Sequence, residues 1–156
     1  MTVGDNLTAF LALLPRQGSL LALDVSKRRI GLAGTDVERR LVTPLSTFER
    51  AGPTKDAERL RRAVRERQVV GLVVGLPLNM DGSEGPMAEQ ARREAKALAA
   101  ALGQPVLLQD ERLTTFAVED AVQEGRLPRP RKGQPVDHYA AAVILEDVLR
   151  AIATGL

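Results

Sequence analysis

Leu20 to Gly34 reads LLALDVSKRRIGLAG: an apolar run, a short polar connection and a second apolar run. The first run, Leu20-Leu21-Ala22-Leu23, is short and unbroken, as in a strand covered on both faces. Ser26-Lys27-Arg28 joins it to the second strand, Arg29 to Gly34, so the pair reads as a hairpin. One acid, Asp24, stands at the end of the first strand. A carboxylate at the edge of such a run is costly unless it binds something.

The rest of the chain can be read as elements around this hairpin. Leu7 to Leu14 is an apolar run fit for a short helix ended by Pro15, inside an N-terminal extension over residues 1–18. Arg40 to Thr47 predicts a third strand, which Pro44 places at an edge. Thr54 to Arg67 carries Ala57, Leu60, Ala63 and Val64 at helical spacing, with Thr54 as the N-cap. Val69 to Gly75 (VVGLVVG) predicts a central buried strand. After the loop Leu76 to Gly85, Pro86 opens a helix that Gly103 ends. Val106 to Leu108 is a short strand running into Asp110-Glu111. Thr114 or Thr115 caps a helix to about Glu124, and the basic, Pro- and Gly-rich stretch Gly125 to Pro135 predicts a mobile loop. Asp137 to Ile152 is the last helix. This order predicts an α/β fold: a mixed five-stranded sheet, three antiparallel leading strands then βαβ, with helices on both faces.

Composition removes several function classes. At 156 residues the chain suits one domain with a real core. It has no Cys and one His, which excludes disulfide frameworks, thiolate zinc sites and His-rich metal sites. A metal would have to be held by oxygen, which favours magnesium, manganese or calcium. Aromatics at 3% argue against a base-stacking platform as the main binding device. A net charge of +2 permits nucleic-acid binding without requiring it. No transmembrane run or secretory signal is visible, so the expectation is a cytoplasmic protein with no membrane partner.

The chemistry-bearing residues are acids. Asp24 follows the first strand, Glu111 follows the strand Val106 to Leu108, and Asp137 opens the last helix. Asp24 and Glu111 meet at one sheet edge if their strands are neighbours. Asp137 alone reads equally well as an acid favouring the helix dipole. Together, three carboxylates repel unless a cation joins them. Two hard cations about 3.5–4 Å apart can clamp the attacking and leaving oxygens of a phosphodiester. Basic groups adjoin the acids: Lys27, Arg28 and Arg29 after Asp24, Arg112 after Glu111, and Arg131 and Lys132 before Asp137. These, with Asn79 and Thr114, are the candidate substrate contacts, suited to phosphates. Arg59, Arg61, Arg62, Arg65 and Arg67 read as a solvated helix face.

Four stretches together resemble the YqgF/RuvX family, described as Holliday junction resolvases and as nucleases that mature the small-subunit ribosomal RNA precursor. They are LALDVSKRRIGLAGTD, VVGLPLNMDGSEG, DERLTT (Asp110 to Thr115) and VDHYAAAVILEDVL (Val136 to Leu149). The resemblance implies an RNase H-like domain over residues 19–156. It also implies a catalytic, metal-binding acid set at Asp24, Glu111 and Asp137, and magnesium or manganese as cofactor. Ser26 stands where the family commonly has Gly, and His138 where it usually has a small residue.

Three function classes compete. A metal-dependent nuclease acts on pre-16S rRNA or on a four-way DNA junction, and the junction calls for a homodimer with paired sites. A phosphate-binding ATPase or sugar-kinase half would need a second such domain, for which the chain is too short. A non-catalytic nucleic-acid or ribosome-binding module would predict a damaged acid set, and all three acids are present.

Overall fold

The computed structural model describes residues 2–154. Its strands are β1 (Val3–Gly4), β2 (Ser19–Val25), β3 (Arg29–Thr35), β4 (Val42–Glu49), β5 (Val69–Leu76) and β6 (Val106–Asp110). Its helices are α1 (Leu7–Ala12), α2 (Pro53–Glu66), α3 (Pro86–Leu102), α4 (Thr114–Gln123) and α5 (Asp137–Ala153). No described helix is long and apolar enough to cross a membrane.

The strands form one sheet in the order β1-β6-β5-β2-β3-β4. β2, β3 and β4 are antiparallel neighbours, whereas β2, β5, β6 and β1 run parallel. The mixed sheet matches the sequence reading, but it has six strands rather than five. The added strand is β1, whose two residues are too few to show any periodicity. It satisfies the open edge of β6, with Val106 N–H donating to Thr2 O at 2.9 Å. A second correction concerns neighbours: β5 lies between β2 and β6, so the strands bearing Asp24 and Glu111 do not touch.

The alternation of side chains divides the core in two. Leu21 and Leu23 of β2 join Leu60 of α2 and Ala88, Ala95 and Ala99 of α3 on one face. Leu20 and Ala22 join Val73, Leu107 and the α5 residues Ala141, Ile144, Leu145 and Val148 on the other. Asp24 follows Leu20 and Ala22 in this alternation and is therefore aimed at α5. Gly75 follows Val73, and Glu111 follows Leu107 and Gln109, in the same way.

Some boundaries differ from expectation for local reasons. Gly52, not Thr54, is the N-cap of α2, because Pro53 is already its first residue. Its φ of 108° suits glycine. Leu113 precedes α4, and neither Thr114 nor Thr115 caps it through a side chain. The stretch before α5, expected to be mobile, is pinned at its start. Leu127 is buried with Ala121 and Tyr139, and Tyr139 O–H donates to Pro128 O at 2.8 Å.

Candidate active site

Asp24 is flanked by glycine on both sides of its strand. Across the hairpin it pairs with Gly31 of β3, and Gly31 pairs onward with Thr47 of β4. On the other side, Gly75 of β5 lies one step beyond the Leu23–Val74 pairing. A Cβ at position 75 would overlap Glu111 Oε2 and sit 2.8 Å from Glu111 Cδ. Gly75 is thus the gap through which Glu111, two strands away, reaches Asp24. A Cβ at position 31 would overlap the backbone of Asp137 and His138, so Gly31 is where the start of α5 rests on the sheet. The sequence reading missed both roles.

The Asp24 and Glu111 carboxyl groups lie close enough to perturb one another. Burial is the main cause that pushes Glu111 up to about 8, with the Asp24 charge adding to it. Burial also raises Asp24, to about 6, and the nearby Asp137 charge contributes, while the neighbouring Glu111 opposes the rise. The two carboxyls titrate as a coupled pair, and burial together with their mutual charge favours keeping one proton on the pair.

Asp137 lines the same cleft as Asp24, a cavity of about 290 Å³ that also touches Thr114, Thr115, Val118 and Ala140. Its carboxylate is engaged by Arg29, whose Nε donates to Oδ1 at 3.0 Å. Arg29, expected to contact substrate, is thus paired with the third acid. The turn before it is closed by Ser26, whose hydroxyl accepts from Arg29 N–H and donates to Arg29 O, both at 3.1 Å. A serine closes this turn without the backbone freedom of glycine.

The start of α5 is capped from outside the helix. Val136, at its N-cap position, has no side-chain oxygen to offer. Thr47 Oγ1 accepts from His138 N–H at 3.0 Å and lies 2.6 Å from His138 Nδ1. Burial pushes the imidazole down, favouring the neutral ring, to whose Nδ1 the hydroxyl can donate. His138 thereby fixes the backbone that presents Asp137, and Thr47 is a positioning residue that sequence alone did not single out.

The other expected substrate contacts are spread around this edge. Lys27 and Arg28 are exposed on the β2–β3 turn. Arg112 is held by Asp110 at 2.8 Å and donates to Met80 O at 3.2 Å, bracing the loop after β5. In that loop Asn79 Nδ2 donates to Ser83 Oγ at 3.0 Å. Thr114 lies between the acid cleft and a second cavity of about 460 Å³ lined by Met80, Asp110, Arg112 and Leu113. Arg131 and Lys132 are exposed between α4 and α5.

These donors fit a hard divalent cation. They are carboxylate oxygens, and the half-buried Asp24 and Glu111 repel when both are ionised, which a cation relieves. Among the described residues, no three His, Asp or Glu side chains already converge as a metal site.

The family model for RuvX, described as Holliday junction resolvase, matches residues 18–151. This chain belongs to the RuvX family. A RuvX relative from Cereibacter sphaeroides, named "Putative pre-16S rRNA nuclease", is 47% identical over 147 residues, covering 94% of this chain and 92% of its own. A Paracoccus denitrificans protein of the same name is 41% identical over 145 residues, or 93% of this chain and 92% of that one. The fold resembles Thermus thermophilus RuvC bound to a Holliday junction substrate, with a TM-score of 0.59 and 17% identity over 88% of this chain and 97% of that one. The fold is RNase H-like, and RuvX membership places the chain among nucleic-acid hydrolases.

Proposed function

We propose that this protein is a divalent-metal-dependent nuclease that hydrolyses phosphodiester bonds in structured nucleic acid. The observation that carries the reading is the half-buried Asp24–Glu111 pair at the carboxyl ends of the central strands, with Asp24 facing a cleft that Asp137 also lines. Asp24, Glu111 and Asp137 would hold magnesium or manganese, two ions in the fullest arrangement. When bound, such ions stabilise the charge developing on the attacking and leaving oxygens. The protein's own part is to position. Gly75 admits Glu111, Thr47 and His138 set the start of α5, and the exposed Lys27, Arg28, Arg131 and Lys132 attract the phosphate backbone. The domain over residues 19–156 carries the activity, and the segment before it braces the sheet edge.

The substrate we favour is pre-16S rRNA, after the names of the relatives. The family description favours a four-way DNA junction, which would call for a homodimer. The test is a cleavage assay with manganese on a labelled rRNA precursor fragment, a four-way junction and single-stranded DNA, comparing wild type with Asp24→Asn. Cleavage by the wild type alone supports the nuclease, and its preferred substrate decides between RNA and junction. If both proteins bind without cutting, the chain is a binding module.

A further inference from the structure

We infer that Arg29 is a positioning residue that occupies the Asp137 carboxylate, competing with a cation, until a substrate phosphate takes its guanidinium. The inference rests on the nuclease reading. Arg29 Nε lies 3.0 Å from Asp137 Oδ1, with the Arg29 side chain 38% exposed and that of Asp137 only 13%. Arginine does not lose its charge, so the pair cannot dissolve by proton transfer. It can only exchange partners. A phosphodiester is a suitable new partner for a guanidinium, and Arg29 directly follows the exposed Lys27-Arg28, where a polyanion would first arrive.

Asp137 has no such freedom. Its backbone is packed over Gly31 and its neighbour His138 is clipped to Thr47. In the Arg29-paired structure its side chain is 13% exposed and its charge acts on Asp24, so losing the guanidinium leaves a charge that is costly unpaired. A divalent cation shared with Asp24 and Glu111 relieves that cost. Arg29 and the cation therefore compete for one carboxylate, and the phosphate that removes Arg29 favours the cation. Linkage makes the effect reciprocal: nucleic acid tightens metal binding, and metal tightens nucleic-acid binding.

The first measurement is calorimetric titration of the free protein with manganese, comparing wild type, Arg29→Gln and Arg29→Lys, with thermal melts confirming that each is folded. Arg29→Gln should bind manganese about tenfold more tightly than wild type, and Arg29→Lys, which keeps a competing cation, should stay near wild type. The second measurement is the affinity for a four-way DNA junction with and without calcium, an oxygen-loving cation used here as the divalent probe. Calcium should tighten binding severalfold in wild type and clearly less in Arg29→Gln. Equal or weaker manganese binding by Arg29→Gln overturns the inference and leaves Arg29 as a scaffold residue for α5. If wild type binds no manganese at all, the nuclease reading and this inference fall together. Manganese binding that Asp24→Asn abolishes but Arg29→Gln leaves unchanged removes only the role of Arg29.

Discussion

Thr47 Oγ1 lies 3.0 Å from the backbone nitrogen of His138 and 2.6 Å from its Nδ1, so a residue of strand β4 caps the helix that carries Asp137. One hydroxyl replaces the missing cap of α5 and fixes the His138 ring. Thr47→Val keeps the shape and removes both bonds. It should lower stability by about 1–2 kcal/mol, the usual loss for a helix cap or a buried hydrogen bond. Cleavage should fall as well, with Thr47→Ser restoring most of both. A thermal melt and a cleavage rate on each variant check this, and unchanged values for Thr47→Val would show that the Thr47 cap does not position α5.

Gly75→Ala places a methyl where Glu111 Oε2 now lies and 2.9 Å from Ile144 Cδ1. Overpacking of this kind costs about 1–3 kcal/mol. The functional loss should be far larger than that, because Glu111 is pushed out of reach of Asp24. Circular dichroism should show a folded protein, and the cleavage assay should show almost no product. A Gly75→Ala variant that cuts at the wild-type rate would mean that Glu111 does not work through this gap.

Burial raises both Asp24 and Glu111, to about 6 and about 8. The metal-free native state thus keeps a proton that the unfolded chain releases. Stability from this source is full below the ordinary carboxylate range and is lost as pH rises through those folded values. Metal-free wild type should therefore melt at progressively lower temperature from pH 5 to pH 8. Glu111→Gln should be more stable than wild type at pH 8, although inactive. Melts across that pH range with a chelator present test it, and parallel pH profiles for the two proteins would remove the pair as the cause. Manganese binding should strengthen over the same interval, since the shared proton must leave.

Arg131 and Lys132 are exposed on the segment before α5. If they touch phosphates, changing both to Ala should weaken nucleic-acid binding uniformly across sequences. It should also flatten the plot of log affinity against log salt by about 1–2. Binding measured at several salt concentrations gives the slope directly, and an unchanged slope takes this segment out of the interface.

The elements that carry long apolar runs could be read from sequence: the β2–β3 hairpin, β5, and helices α3 and α5 with Pro86, Gly103 and Asp137 as punctuation. Asp24 and Glu111 stood out because each interrupts or follows an apolar run, and the structure brings their carboxyls together. What lay hidden depends on the partner across space. Gly31 and Gly75 look like any strand glycines until a helix start and a glutamate are seen to occupy the space above them. Arg29 sits in a basic triplet, and nothing local distinguishes the residue that turns toward Asp137 from its two exposed neighbours. Thr47 is one threonine in an edge strand. β1 is too short to carry a pattern and pairs along the edge of β6.

Asp137, the third acid of the proposed site, is carried by α5, the last of the described helices, whose start rests over Gly31 of the sheet. For a nuclease this order matters inside the cell. The growing chain releases Asp24 early, Glu111 later and Asp137 last, while it is still surrounded by the RNA of the ribosome making it. If Asp137 is required for cleavage, activity is expected only once α5 has docked on the sheet. A chain truncated before α5 is accordingly expected to show no cleavage, even where its sheet has begun to fold.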